Sequence, residues 1–232
     1  MHQHPWAQMV FSSQGVVRVY TDERVFTVPP WRAVWIPQDT LHTATVLEDA
    51  QLHSLYLLAE KQDARDSAVE WLSCRVIEVR PLLRELVAAL GEEESRGIPT
   101  CRYQSLVELT LFEIRQAPVM ALGIVLPTER RVLALCEDFL ADPRLDRSLS
   151  DLCQNAGASL STMNRLFQAE VGCSFVDWRK QVLLAHALTL AAKGHSVSQI
   201  ALELGYSSLS SFSFMVRQLV GMPPSQLLKL RS

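Results

Sequence analysis

Between positions 10 and 58, apolar and polar residues alternate in short runs, the two-residue period of strands with one buried face. Val16-Val17-Arg18-Val19-Tyr20 and Arg24-Val25-Phe26-Thr27-Val28 flank Thr21-Asp22-Glu23, which reads as a hairpin turn. Ala33-Val34-Trp35-Ile36 runs into the turn signal Pro37-Gln38-Asp39, and the stretches 43–46 and 52–57 continue the series. Short strands joined by short turns predict a small antiparallel barrel or sandwich, not alternating strand–helix units.

After Pro81 the period changes. Leu82, Leu83, Leu86, Val87 and Leu90 recur at helical spacing, with Pro81 in the first turn and Gly91 just past the end. A polar break at 92–97 precedes a second predicted helix over 102–116, apolar at Leu106, Leu109 and Ile114. The pair reads equally well as core packing or as a dimer interface. Residues 117–127, with Pro118 and Pro127 near their ends, predict a linker.

The last hundred residues contain one unit twice. Leu149, Leu152, Cys153, Ala156, Gly157 and Ala158 align with Val197, Ile200, Ala201, Leu204, Gly205 and Tyr206 at an offset of 48. Beyond that glycine the offset is 49: Ser159, Leu160, Ser161, Met163 and Gly172 meet Ser208, Leu209, Ser210, Phe212 and Gly221. Each copy is helix, glycine turn, helix, terminal glycine, the anatomy of a helix-turn-helix. Ser196-Val-Ser-Gln199 is a capping box, Ser148-Leu-Ser-Asp151 a near relative, and Ser159 and Ser208 are N-caps for the second helices. A long helix opening at Ser174-Phe-Val-Asp177 and closing at Gly194 separates the copies and fixes the spacing of two major-groove readers.

Composition narrows the setting. With 48% hydrophobic and 20% charged residues the chain is an ordinary globular protein, neither disordered nor fibrous. No run approaches the ~18–20 uninterrupted apolar residues of a membrane span. The start, Met1-His2-Gln3-His4-Pro5, lacks the basic and apolar stretches of a secretory leader. Five cysteines form no CxxC pair, against a disulfide frame or structural zinc. These features predict a cytoplasmic chain with no membrane partner. Net charge is −3, but unevenly spread: residues 1–127 hold 11 Lys/Arg against 16 Asp/Glu, and residues 148–232 hold 7 against 4. An acidic half and a mildly basic half point to different partners.

Segment 128–232 resembles the DNA-binding domain of AraC/XylS-type bacterial transcription regulators. The likeness is carried by the run from Ser196 through Gly205-Tyr206-Ser207-Ser208, then Ser210-Ser211-Phe212 and Gly221-Met222-Pro223-Pro224. Asn164-Arg165-Leu166-Phe167 with Gly172 and Ser174-Phe175 matches the end of the first unit. The resemblance implies groove-facing side chains at Ser161, Asn164 and Arg165, then at Ser210, Ser211 and Phe214. Arg165 suits guanine and Asn164 adenine or phosphate, the serines suit bases or backbone, and Phe214 offers apolar contact alone. The chain departs from the family at Val216, where Phe is usual, and at Leu183 and His186, where relatives often carry Arg. Those lost cations imply weak non-specific affinity and dependence on dimerisation.

The N-terminal part resembles the cupin, a small β-barrel that serves as sensor in many such regulators. His2-x-His4-x3-Gln8-x6-Gly15 has the spacing of the first cupin motif, with Gln8 in place of its glutamate. Trp31-x5-Pro37-x-Asp39-x2-His42 has the spacing of the second, without its glycines. The resemblance implies an effector site near His4, Trp35, His42 and Tyr56. No cofactor is fixed, and His2, His4, Gln8 and His42 are candidate ligands for a divalent metal. His2, beside the first residue, is expected to fray. Cupins carry strand before the first motif and none precedes it here, which implies an open edge or a start upstream of Met1.

The expected architecture is α+β in two domains: a cupin-like antiparallel barrel over 1–80, a helical dimerisation and linker segment over 81–127, and a DNA-binding domain over 128–232. That last domain holds helix-turn-helix units at about 148–172 and 196–221. The expected function is a transcription regulator, activator or repressor, that binds double-stranded DNA as a homodimer and answers a small-molecule effector. Such a regulator can also contact RNA polymerase. The alternative is a metal-dependent cupin enzyme with a helical appendage, and a third reading is an architectural DNA binder with an inert barrel. The lost carboxylate ligand, and the absence of a readable nucleophile triad or phosphate loop, favour the regulator.

Overall fold

The computed structural model describes residues 1–46, 51–58, 69–95, 101–120, 122–153 and 159–228. Two antiparallel sheets form the N-terminal part. One runs in the order β6 (Gln51–Leu58), β1 (Trp6–Gln14), β4 (Arg32–Ile36), β7 (Arg75–Glu78) and β8 (Val119–Met120). The other runs β5 (His42–Val46), β2 (Val17–Thr21), β3 (Arg24–Val28) and β9 (Gly123–Val125). The β2–β3 hairpin pairs Val17 with Val28 and Tyr20 with Val25, and the Arg24 amide donates to Thr21 Oγ1 at 3.1 Å to close its turn.

Alternation sorts each strand by face. Val10, Val34, Ile36 and Val76 of the first sheet share a core with Val17, Val19, Phe26 and Val28 of the second. The other face of the first sheet, with Met9, Phe11, Ala33, Trp35 and Ile77, is covered by Leu83 and Val87 of α1 (Pro81–Glu94) and Ile114 of α2 (Cys101–Arg115). The helix pair is therefore core packing on its inner side, where buried Glu93 is held by Arg102. Its outer side leaves Leu82, Leu109 and Phe112 exposed.

The stretch 117–127 is not the expected linker. Val119 pairs with Ile77, and Gly123–Val125 pair with Arg24–Phe26, so it supplies an edge strand to each sheet. Strand β7 was likewise unmarked by the pattern, its four residues being too few to display a period.

The C-terminal part is helical: α3 (Arg130–Ala141), α4 (Leu149–Cys153), α5 (Leu160–Val171), α6 (Phe175–Ala192), α7 (Val197–Glu203), α8 (Leu209–Val220) and α9 (Pro224–Leu227). Every cap anticipated from the serines is made. Ser159 Oγ accepts from the Thr162 amide, Ser208 Oγ from Ser211 and Ser174 Oγ from Asp177, and Ser196 with Gln199 forms the capping box. Ser148 and Asp151 bond reciprocally, which holds the Asp151 carboxyl below its usual range. Gly172 and Gly221, 49 residues apart, both end their helices at positive φ, 77° and 72°. Of the repeat, Ala156, Gly157 and Ala158 lie outside the described residues.

Helix α6 is apolar on all sides and buried accordingly, from Val182 through Ala191 except at His186. Trp178, fully buried, sits among Phe139, Phe167 and Phe175 and donates its indole N–H to the Val125 carbonyl of β9 at 2.9 Å. One core thus runs from the sheets into the helical part. Leu183 is fully buried within it, and His186 lies in the field of Arg18 on β2. Leu183 and His186 thus lie against the shared core, the first fully and the second in part.

Trp178→Phe removes the indole donor and leaves the Val125 carbonyl unpaired. It is expected to cost about 1–3 kcal/mol in urea unfolding, and an unchanged midpoint would show that the bond contributes nothing. Burial lowers the His186 imidazole from its ordinary 6.5; Glu203 opposes this, and Arg18 and Lys193 add to it. Below that pH the unfolded chain binds a proton that the folded one refuses, so stability is lost as pH falls through 6.5. His186→Gln should shrink the loss between pH 7.5 and 5.5; an identical loss assigns it to other groups.

Candidate functional site

Three imidazoles meet at the end of the sandwich where β5 and the chain entering β1 come together. His2 does not fray: its amide donates to the His42 carbonyl and its carbonyl accepts from the His42 amide, both at 2.9 Å, which extends the sheet by one bridge. His4 Nδ1 lies 2.7 Å from the Trp6 carbonyl and His42 Nδ1 2.8 Å from that of Thr40, so each ring is anchored by a donated N–H with Nε2 left as the lone-pair nitrogen. Burial lowers the pKa of His42, as do the neighbouring His2 and His4, while the bond to Thr40 raises it. Buried Gln8 stands 3.0 Å from His4 Nε2 and donates to Ser54 Oγ at 3.2 Å. Tyr56, opposite Gln8 on β6, meets the Trp6 and His4 rings edge-on.

Of the four expected effector residues, His4, His42 and Tyr56 come together and Trp35 does not. Its neighbour Ile36 pairs with Gln8 and shares the inner face, so Trp35 points the other way, beneath the helices. There its indole donates to the Trp71 carbonyl at 3.1 Å and its ring packs edge-on against Trp71. Two further residues shape the mouth. Ser54 orients Gln8, and Trp6 stacks on His4 at 4.9 Å. The Trp6 indole N–H is buried and meets no acceptor among the described residues. Alternation backwards from Val10 would have placed Gln8 and Trp6 on one face.

The mouth is open because β5 and β6 are the edge strands of their sheets. Val46, Leu52 and Tyr56, on strand positions that face inward, stay exposed, Tyr56 at 58%. A cleft of about 450 Å³ lies between Thr21–Arg24, Asp39–Leu41 and Leu72–Cys74.

The residues fit a divalent metal by donor type. The donor atoms of His2, His4 and His42 all lie within 4.8 Å of one another. Anchoring through Nδ1 aims Nε2 of His4 and His42 outward, the arrangement of metal-bound histidines. With that tautomer, Nε2 of His4 and Oε1 of Gln8 are two facing acceptors. A shared cation relieves the conflict, as does a half-turn of the Gln8 amide. Three imidazoles and an amide suit zinc, nickel or copper better than magnesium or calcium.

The second set of expected residues lies on α5 and α8. Met163, Phe167 and Val171 hold α5 to the core, and Ser161, Asn164 and Arg165 face solvent. On α8, Phe212, Met215 and Val216 are buried while Ser210, Ser211 and Phe214 are exposed. Ser211 is already engaged: its hydroxyl donates to the Ser208 carbonyl at 2.8 Å and lies 3.1 Å from Ser208 Oγ. Thr162 stands in the same relation to Ser159 in the first unit, so the position belongs to the cap. Arg217, exposed in the last turn of α8, is a further cation on the same helix. No helix among the described residues is long and apolar enough to cross a membrane.

Comparison with known proteins bears on both sites. Residues 1–101 match the family model of the AraC-like ligand binding domain, and residues 152–230 that of a helix-turn-helix domain. The chain is 27% identical over 227 residues to the HTH-type transcriptional regulator NimR of Escherichia coli K12, covering 97% of this chain and 81% of that protein. It is 30% identical over 100 residues to the HTH-type transcriptional regulator RipA of Corynebacterium glutamicum, covering 43% and 30%. Among solved structures, ToxT from Vibrio cholerae O395 aligns over 98% of this chain and 90% of that one, at 14% identity and a TM-score of 0.42. With an AraC-like ligand binding domain followed by a helix-turn-helix domain, the chain has the two-domain make-up of the AraC-type transcription regulators, which bind DNA and answer a small-molecule effector.

Proposed function

We propose that α5 and α8 are the two base-reading helices and that the histidine-lined mouth between β5 and β6 is the effector site. The observation that carries the first assignment is the repeat itself: two helices with the same serine cap, 49 residues apart, turn the same positions outward. In a helix-turn-helix the second helix enters the major groove and reads bases from its exposed face. Arg165 is the side chain suited to a bidentate contact with guanine, and Asn164 reads adenine or positions the backbone.

The mouth favours a small ligand with an acceptor for the Trp6 N–H and a flat or apolar body against Tyr56, Leu52 and Val46. His2, His4, His42 and Gln8 are the residues that would hold a divalent metal there, and the metal would supply a positive charge to the ligand. The barrel senses; it does not catalyse. Among the described residues the cluster holds three imidazoles and the Gln8 amide without a carboxylate, and Gln8 cannot exchange a proton near neutral pH. The effect of a ligand reaches the readers through one sheet. His42 lies on its edge strand β5, and β2 and β3 connect β5 to β9, on which Trp178 is hooked.

The regulator acts as a homodimer through the outer face of α1 and α2, where Leu109 and Phe112 are 41% and 56% exposed. A second reader at high local concentration raises affinity about 10²–10⁴-fold without new contacts. Its place of action is the cytoplasm, where its DNA lies.

Selection of bound fragments from a random DNA pool, repeated with candidate effectors, tests the whole reading; a chain that enriches no sequence refutes it. Arg165→Ala should weaken the selected site by about 1–3 kcal/mol and relax one or two base pairs, and a variant that keeps both affinity and preference removes Arg165 from the interface. Zinc titrated into the tag-free full chain should bind once per chain, with His42→Ala abolishing it. Uptake that survives this substitution places the ion elsewhere.

A further inference from the structure

We propose that the two readers divide their chemistry, and that α8 selects a pyrimidine carrying a C5-methyl group, through Phe214. The inference rests on the reading of α5 and α8 as base-reading helices. By the 49-residue offset, Phe214 occupies in the second unit the place that Arg165 occupies in the first, and Ser213 that of Asn164. The strongest hydrogen-bonding pair of one reader is thus replaced in the other by a phenyl ring and a hydroxyl.

Phe214 is not a core residue displaced to the surface. Packing of α8 is carried by Phe212, Met215 and Val216, all buried, and Phe212 meets the Tyr206 ring. Phe214 lies between them on the outward face and is 64% exposed. Leu209, at the start of the same helix, is 45% exposed. Surface this apolar on a helix that must enter the groove needs a partner that is apolar too.

The polar alternatives on α8 are few. The Ser211 hydroxyl is bound to the cap and Ser213 is half-buried, which leaves Ser210 near the N-terminal end and Arg217 and Gln218 in the last turn. Among major-groove edges, the C5-methyl of thymine is the apolar group a phenyl ring can cover; oxygens, N7 and amino groups all lose hydrogen bonds beneath it. A methylated cytosine presents the same methyl at the same ring position, so α8 should accept it where it rejects cytosine.

The test uses the full chain and its selected DNA site. Each thymine in the part of the site assigned to α8 is replaced in turn by uracil, cytosine and 5-methylcytosine, and affinity is read by fluorescence anisotropy at one salt concentration. Burying a single methyl corresponds to roughly fourfold in affinity. At one or more positions thymine should therefore exceed uracil by about that factor, and 5-methylcytosine should exceed cytosine likewise. Phe214→Ala should erase both differences, and Phe214→Leu should keep part of them. The same replacements in the part read by α5 should give ratios that Phe214→Ala does not alter. Unchanged melting of both variants shows that the fold is intact. Equal binding to thymine and uracil throughout the α8 region, a selected region without thymine, or a methyl preference that survives Phe214→Ala overturns the proposal. Failure to select any DNA would refute the underlying reading instead.

Discussion

The core shared by the sheets and the helical part is arranged around the need to cover α6. From Val182 to Ala191 this helix carries apolar side chains on every side, and such a stretch is stable in water only when neighbours surround it. The flanking helices α5, α7 and α8 supply part of that cover, and the aromatic group of Phe139, Phe167, Phe175 and Trp178 fills the space toward α3. The remaining side is closed by β9, to which Trp178 is bonded. Two consequences follow from one burial requirement. The readers are mounted on a common rod whose length fixes their separation, and the sensor becomes part of the core on which that rod rests.

The readers show how local chemistry constrains function. Each recognition helix begins with a serine whose hydroxyl satisfies an amide of the first turn, and the side chain three residues on helps to complete the cap. This uses up polar groups that would otherwise face the groove. Past the serine–threonine and serine–serine pairs Met163 and Phe212 are buried, and the outward positions resume with Asn164 and Arg165 in one copy and Phe214 in the other. The two copies diverge there, Arg165 against Phe214, while their caps and terminal glycines stay alike. Structure is held constant by the repeat, and recognition is free to vary at the few outward positions.

Legibility in the sequence followed the range of the interaction. Capping boxes, the β2–β3 hairpin and the glycine-ended helices depend on residues three to five apart, and all were readable. Trp35 failed for a different reason. Alternation says that Trp35 and Ile36 face opposite ways, but the first sheet is covered on both sides, so hydrophobicity does not tell which face is the interior. The edge strands at 119–120 and 123–125 are too short to show a period, and the prolines nearby read as a break. His2 was expected to fray as a terminal residue, but its bridge to His42 lies 40 positions away and leaves no local mark. The inward placement of Leu183 and His186 likewise depends on a sheet far away in sequence.

The remaining question is where the free energy to move the readers comes from. A ligand shifts an equilibrium only by the difference in its affinity for the two states. Coupling between sites is typically about 1–3 kcal/mol. The mouth between β5 and β6 holds an apolar reserve of that size, since Val46, Leu52 and Tyr56 face the interior from open edge strands and remain in water. Covering a Val or Leu side chain completely yields about 1.5–3 kcal/mol, so partial closure of these three over a bound molecule suffices. On one side of that mouth β5 is bonded through β2 and β3 to β9, the strand that carries Trp178. A close-packed sheet transmits a shift instead of absorbing it. The same burial that holds α6 in place thus connects it through one sheet to the edge of the mouth.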